Sequence, residues 1–407
     1  MTQTVKGPPA TGAWREGDPS GDRQWFTTDA DLALESGARL PGYRLAYETW
    51  GTLAADRTNA VLIEHALTAD SHVAGPASPG HPFPGWWDGL IGPGRALDPA
   101  EWFIVAANVL GGCQGSTGPA SLADDGRPWG SRFPHLTIRD QVAAEAALAD
   151  ALGIQRWAAV LGGSMGGMRA LEWAIMHPDR VAALGVIAAP AQTTAEQIAW
   201  SWPQLRAITD DPGWHGGDYH DLPDGQGPHA GLGLARRIAH ITYRSEAELG
   251  ARFGRDPQPG ENPATGGRYA VESYLDHHAD KLVDRFDAAS YVTLVRAMNS
   301  HDVGRGRGGV PAALSRIRAR TLVVGVDSDR LYPLPQQLAL AAAIPTAGPA
   351  QVITSPHGHD AFLLETAQLT PHLTALLKIL RPQDIPLPPK GFRQGRSPEI
   401  RNGHEVP

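Results

Sequence analysis

The stretch AAVLGGSMGGMRALEWA at 158–174 constrains this chain more than any other. An apolar run at 158–161 enters Gly162, Gly163, Ser164, Met165, Gly166 and Gly167, and a helix-forming stretch at 168–176 stops before Pro178. A sharp turn between a buried strand and a helix needs neighbours without side chains, because a Cβ would clash in the strained backbone. The turn lifts the Ser164 hydroxyl clear of the strand, and the helix start offers unpaired N–H groups beside it. This is the G-x-S-x-G pattern of a nucleophile elbow. The competing reading is a glycine turn whose serine merely caps a helix. A phosphate loop fits worse, since neither G-x-x-x-x-G-K-[ST] nor G-x-G-x-x-G spacing is present at the turn.

The rest of the chain supplies the context that such an elbow requires. Strand-like text stands at 43–50, 60–64, 102–107, 181–189, 321–326 and 350–354. Helical text stands at 137–152, opened by a Thr137–Asp140 capping box and stopped by Gly153, and at 335–343 and 361–380. Strands alternating with helices predict an α/β fold with a mostly parallel sheet covered on both faces. Between 190 and 310 the pattern changes to helical pieces at 194–208, 232–245, 274–285 and 288–299, with no convincing buried strand. That region reads as a helical lid inserted into a core formed by 25–189 and 311–380. Residues 1–24 and 381–407 are rich in Gly, Pro and polar residues and are expected to be disordered.

Composition narrows the function classes. A net charge of −8 over 407 residues argues against a general nucleic-acid or anionic-membrane surface. The longest apolar runs, such as 181–191, fall well short of the roughly 20 residues a membrane span needs. The first residues carry no apolar signal segment, and the one cysteine, Cys113, excludes an intrachain disulfide. A cytoplasmic protein is the expectation.

A serine hydroxyl is a weak nucleophile unless a base takes its proton and an acid orients the base. Asp329 (or Asp327) and His359 each follow a predicted strand, so the order Ser164, Asp, His is that of an α/β-hydrolase triad. The oxyanion hole would use the N–H of Met165, next to the nucleophile, and that of Leu67, in the turn after an early strand. Cys113, flanked by glycines, is the rival nucleophile, but a lone cysteine without a base nearby in sequence is more often a packing residue. His357 and His359 form an H-x-H, yet no third ligand has metal-site spacing, so no metal is expected.

With these residues in hand, the chain resembles the homoserine O-acyltransferases of methionine biosynthesis, and most of all their actinobacterial acetyltransferases. The resemblance runs from about 40 to 380 through HALTADSHVAGP (65–76), NVLGGCQGSTGPAS (108–121), GGSMGGMRALEWA (162–174), ARRIAHITYRS (235–245), SHDVGRGRGG (300–309), DSDRLYP (327–333) and GHDAFLLE (358–365). It implies the nucleophile Ser164, the acid Asp329 over Asp327, and the base His359. It also implies substrate binding by Arg236, pairing with an amino-acid carboxylate, and by Asp360, pairing with the α-amino group. Arg237, without a family role, reads as a solvated lid residue. The implied reaction is ping-pong transfer of acetyl from acetyl-CoA, a co-substrate with no permanently bound cofactor, to L-homoserine, in a homodimer without nucleic-acid or membrane partners. Alternatives are a succinyl donor, a serine acceptor, a hydrolase or esterase of the same fold, and a non-catalytic binding module.

Overall fold

In this computed structural model, which describes residues 7–378, the strands assemble into one large sheet. In chain order its elements begin with β1 (Gln24–Thr28), the small hairpin β2 (Leu32–Ala33) and β3 (Arg39–Leu40), β4 (Tyr43–Trp50), β5 (Ala60–Glu64) and β6 (Phe103–Ala107). Helix α1 (Ile138–Ala151), β7 (Trp157–Gly163), α2 (Met165–Met176) and β8 (Val181–Ile187) follow. The sheet order is β1-β4-β6-β5-β7-β8 and then the two late strands, β9 (Arg320–Val326) and β10 (Gln351–Ile353). β1 and β4 are antiparallel to their neighbours, and everything from β6 through β5 to β10 is parallel. β7 lies near the middle of the sheet, between β5 and β8, so its end carries Ser164 to the centre of the sheet's edge.

The two faces follow from strand periodicity, since successive side chains leave a strand on opposite sides. Leu62, Val105, Val160 and Val323 pack on the face covered by α1 and α2, through Val142, Leu148, Leu171 and Trp173. Their chain neighbours Val61, Ile104, Leu161 and Val324 pack on the other face, against the C-terminal helix α11 (Thr366–Lys378) through Leu369, Leu373 and Leu376. Each such buried aliphatic side chain contributes about 1.5–3 kcal/mol relative to exposure.

Between β8 and β9 come α3 (Ala195–Thr209), α4 (His229–Tyr243), α5 (Glu246–Phe253), α6 (Ala270–Val283), α7 (Ala288–Asn299) and the short α8 (Val310–Leu314). α9 (Leu334–Ala343) follows β9, and α10 (Ala361–Leu364) precedes α11. A third apolar cluster, including Leu67, Met165, Met168, Leu205, Leu232 and Tyr291, joins the inserted helices to the edge of the sheet that carries Ser164.

Several elements differ from the sequence expectation. α2 starts at Met165, inside the glycine turn, because Gly166 is what lets the helix approach β5: a Cβ there would lie 2.0 Å from the Glu64 carbonyl oxygen. The helix expected over 361–380 is interrupted at Glu365, which leaves helical geometry while its carboxylate accepts from Ser355 Oγ at 2.7 Å. Residues 7–23 are not free of structure. Thr11 Oγ1 donates to Asp287 Oδ1 at 2.8 Å, Trp14 N–H to the Cys113 carbonyl at 2.9 Å, and Ala10 and Ala13 are buried. Contacts so distant in sequence leave no local pattern. The expected disorder of 381–407 lies outside the described residues, as does that of 1–6.

Candidate active site

Ser164 sits at φ +58°, ψ −126°, a conformation that L-residues avoid. The surroundings hold it there. Its N–H donates to the Ile187 carbonyl at 3.0 Å, and a Cβ on Gly162 would lie 2.3 Å from the Gly166 carbonyl. Ser164 Oγ is 2.9 Å from His359 Nε2, and His359 Nδ1 is 2.7 Å from Asp329 Oδ2. All three side chains are buried.

Each member is positioned by its own loop. Asp329 follows β9, and its second oxygen, Oδ1, accepts the N–H groups of Leu331 at 2.8 Å and Tyr332 at 2.9 Å. Asp327 serves elsewhere, accepting the Ser355 N–H at 3.1 Å beside the end of β10. His359 follows Gly358, which has φ +65° and no room for a Cβ against the Tyr243 carbonyl oxygen at 2.6 Å. Tyr243, Tyr332 and Phe362 surround the His359 ring. Burial pulls the His359 pKa down, but the charge and hydrogen bond of Asp329, with Asp360 behind them, outweigh it and leave the pKa above the ordinary histidine value. The set has the geometry of a hydroxyl nucleophile, a neutral base and an orienting carboxylate.

The serine opens on a cavity of about 760 Å³ lined by Leu67, Arg236, Arg244, His359 and Asp360, among others. Met165 does not line it: its side chain is buried, while its N–H belongs to the first residue of α2 and has no intrahelical acceptor. Leu67 lies in the turn beyond β5. The peptide that carries its N–H is fixed through the preceding carbonyl, Ala66 O, which accepts His65 Nδ1–H at 2.8 Å and the Ala69 N–H at 3.1 Å. His65 Nε2 accepts from the Val109 N–H at 2.9 Å. Burial and the Arg169 charge push the His65 pKa down to about 3, so this ring stays neutral.

Arg236 and Asp360 meet at the same cavity but do not pair with one another. The Arg236 guanidinium lies 5.5 Å from the Tyr243 ring centroid, and its buried Nε has no hydrogen-bond partner among the described residues. Arg237 instead pairs with Asp276 across to α6, at 2.8 Å. Asp360 Oδ2 lies 3.2 Å from Arg244 Nε. Burial raises the Asp360 pKa, against the pull of Arg244, His359 and Arg236. Arg244, at the end of the ARRIAHITYRS block, was not legible as a site residue, because only the fold puts it beside Asp360. His240 is a second such residue. Its Nε2 lies 2.7 Å from the Tyr274 hydroxyl, and its buried Nδ1 has no partner among the described residues.

Cys113 is buried, and burial, reinforced by Asp287, raises its thiol pKa far above the ordinary value, which disfavours the thiolate a nucleophilic cysteine needs. His357 points to Glu248, 3.6 Å away, and shares no ligand position with His359. Among the described residues one other group, Glu48, His72 and His81, brings ligand-type atoms within 4.8 Å of each other. Its two imidazoles are stacked at 3.9 Å and 10°, so their planes do not meet within ligand distance of both rings, where a metal would sit. His72 Nδ1 donates to Glu48 at 3.0 Å instead.

Residues 59–366 match the α/β-hydrolase-fold family. A homoserine O-acetyltransferase of Thermobifida fusca (strain YX) is 65% identical over 369 residues, 91% of this chain and 97% of that protein. Among solved structures, a homoserine O-acetyltransferase from Bacillus anthracis superposes with a TM-score of 0.79 at 27% identity, covering 87% of this chain and 97% of the other. Esterase E22 superposes equally well, with a TM-score of 0.79 at 26% identity over 87% and 99% of the two chains. Overall shape therefore does not separate transferase from esterase, whereas the sequence similarity runs along nearly the whole of the first relative. On that similarity the chain belongs to the α/β-hydrolase family and, within it, to the homoserine O-acetyltransferases.

Proposed function

We propose that this protein transfers an acetyl group from acetyl-CoA to the γ-hydroxyl of L-homoserine by way of an acetylated Ser164. The observation that carries the reading is one cavity in which the serine shares a wall with Arg236, whose buried Nε has no hydrogen-bond partner among the described residues, and with a carboxylate, Asp360. Those are the complementary charges for the carboxylate and α-ammonium of an amino acid. In the first half, His359 Nε2 takes the Ser164 proton as Oγ bonds the thioester carbon, and the Met165 and Leu67 N–H groups stabilise the oxyanion. The C–S bond then breaks, the proton passes to sulfur, and CoA leaves as its thiol. In the second half, His359 takes the γ-hydroxyl proton of homoserine as that oxygen bonds the acetyl carbonyl carbon, the bond from this carbon to Ser164 Oγ then breaks, and His359 returns the proton to Oγ. No bound cofactor takes part.

The core at 25–189 and 311–380 supplies the nucleophile, base and acid, and the insertion at 190–310 acts as a lid that restricts water, which would otherwise hydrolyse the acyl-serine. Two chains are proposed to associate through the lid, where Ile198 and Trp202 on α3 and Leu234 and Ile241 on α4 are exposed apolar residues. Among the described residues no helix is long and apolar enough to cross a membrane, and we place the reaction in the cytoplasm. Hydrolysis is the competing reading, because the same triad and the likeness to esterase E22 accommodate it. Light scattering should give a dimer that Trp202→Glu weakens; a monomeric native protein would refute the association. Product analysis by mass spectrometry with acetyl-CoA or succinyl-CoA against L-homoserine or L-serine tests donor and acceptor together. O-acetyl-L-homoserine should dominate, and predominance of another ester would reject this assignment.

A further inference from the structure

Arg169 lies in α2, one turn beyond the nucleophile, and is fully buried. Its Nη1 is 2.7 Å from Glu145 Oε1 and 2.8 Å from Glu64 Oε2. Its Nη2 donates to the His65 carbonyl oxygen at 2.7 Å. Trp173 Nε1 donates to the other Glu145 oxygen at 3.0 Å. Two carboxyl groups around one guanidinium would leave an excess buried charge if both ionised. Burial raises the Glu64 pKa well above the usual range, against the Arg169 charge and with Glu145 adding to the rise.

The cluster sits where two parts of the oxyanion hole meet. Glu64 ends β5 and His65 opens the turn that carries Leu67, while Met165 starts α2. Backbone contact between α2 and β5 is so close that Gly166 has no room for a Cβ against the Glu64 carbonyl. The Arg169–His65 hydrogen bond is a polar link across that contact. One residue on, the His65 ring and the Ala69 N–H hold the Ala66 carbonyl. A trans peptide points its C=O and N–H in opposite directions, so the Leu67 N–H direction is set by the same chain of bonds.

We propose that Arg169 is a positioning residue for the oxyanion hole. By holding the His65 carbonyl from the helix that also carries Met165, it fixes the separation of the two N–H donors. This rests on the acyl-serine reading above, but not on the choice of donor or acceptor, so its test uses an activated ester, p-nitrophenyl acetate, without CoA or homoserine.

The deciding pair is Glu145→Gln and the double variant Glu145→Gln with Arg169→Met. The single variant keeps the Arg169–His65 bond and leaves Glu64, 2.8 Å from the guanidinium, as its counter-ion, and its Ser164 acylation rate should stay within about threefold of the native rate. The double variant removes a cation and a carboxylate together, so no uncompensated charge is left buried, yet the His65 carbonyl loses its donor. Its acylation rate should fall about 10–100-fold below that of Glu145→Gln, a fraction of what losing an oxyanion donor outright costs, with the KM for the ester within about threefold. Affinity for phenylboronic acid, whose serine adduct occupies the oxyanion hole, should fall by a similar factor. Equal acylation rates in the two variants, or a loss of rate with native boronate affinity, would overturn the proposal. Should the double variant not fold, Arg169→Lys decides: its ammonium lacks the planar fork, and the acylation rate should drop about tenfold, whereas a native rate would overturn the proposal. A native protein that fails to acetylate L-homoserine would refute the function proposed above and leave this comparison readable.

Discussion

The sheet side and the lid side of the cavity differ in how their polar groups are partnered. On the sheet side Ser164, His359 and Asp329 hydrogen-bond one another, and Asp329 spends its remaining oxygen on two backbone N–H groups. On the lid side, Arg236 Nε and His240 Nδ1 are buried without partners among the described residues. A buried polar group left unpaired costs about 1–3 kcal/mol, more for a charged one. On the proposed reading, the sheet side is arranged for chemistry before any ligand arrives, whereas the side made by the inserted helices takes an occupant that supplies the missing partners. In the proposed reaction that division corresponds to two halves, acylation by the core and acceptor recognition by Arg236 of the inserted helices together with Asp360 beside the base.

The largest test of this division removes the nucleophile. Ser164→Ala should abolish the acyl-enzyme in mass spectra and lower turnover about 10⁴-fold or more; near-native turnover would show that the sheet side is not where the chemistry happens. Next comes a lid change. Arg236→Met should raise the KM for L-homoserine about 10–100-fold, and stopped-flow acylation by p-nitrophenyl acetate should stay within about threefold of native. An equal loss in acylation would dissolve the separation between the halves.

A smaller effect is expected from pH. His359 must be neutral to act as base, and its pKa is raised, so it remains protonated to higher pH than an ordinary histidine. The acylation rate should therefore climb with pH through a midpoint above about 6.5, and a midpoint below that value would contradict the Asp329 assignment. The smallest effect concerns stability. Burial, with nearby cations, lowers the pKa of His240 to about 2, of His278 to about 4 and of His65 to about 3. Each folded value lies below the unfolded one, so as pH falls below about 6.5 the unfolded chain takes up protons first and stability is lost. The melting temperature should drop between about pH 6.5 and pH 4, and less steeply in His240→Gln. An unchanged slope in that variant would remove His240 from the lid's share of this loss.

The same division decided what could be read from the sequence. Core strands are short apolar runs bounded by breaks, and 43–50 and 60–64 match β4 and β5 while 102–107 misses β6 by one residue. The inserted helices were placed less well. α6 begins at Ala270, four residues before the expected 274, and α5 was not anticipated, its amphipathic stretch being short and polar. The order of Ser164, Asp329 and His359 was visible because each follows a strand, yet choosing Asp329 over Asp327 took family resemblance, and the geometry now gives Asp327 a different partner. Arg236 was also reached only through resemblance. Arg244, His240, His65 and Arg169 were missed because their significance lies in what they touch across the fold, which no local spacing encodes.

The central claim is that the acetyl group goes to an amino-acid hydroxyl and not to water. It is tested most directly by following CoA release from acetyl-CoA by the native protein with and without L-homoserine. Transfer predicts that sustained release requires L-homoserine and matches O-acetyl-L-homoserine mole for mole. Release that is equally fast without the acceptor would contradict it and identify a hydrolase.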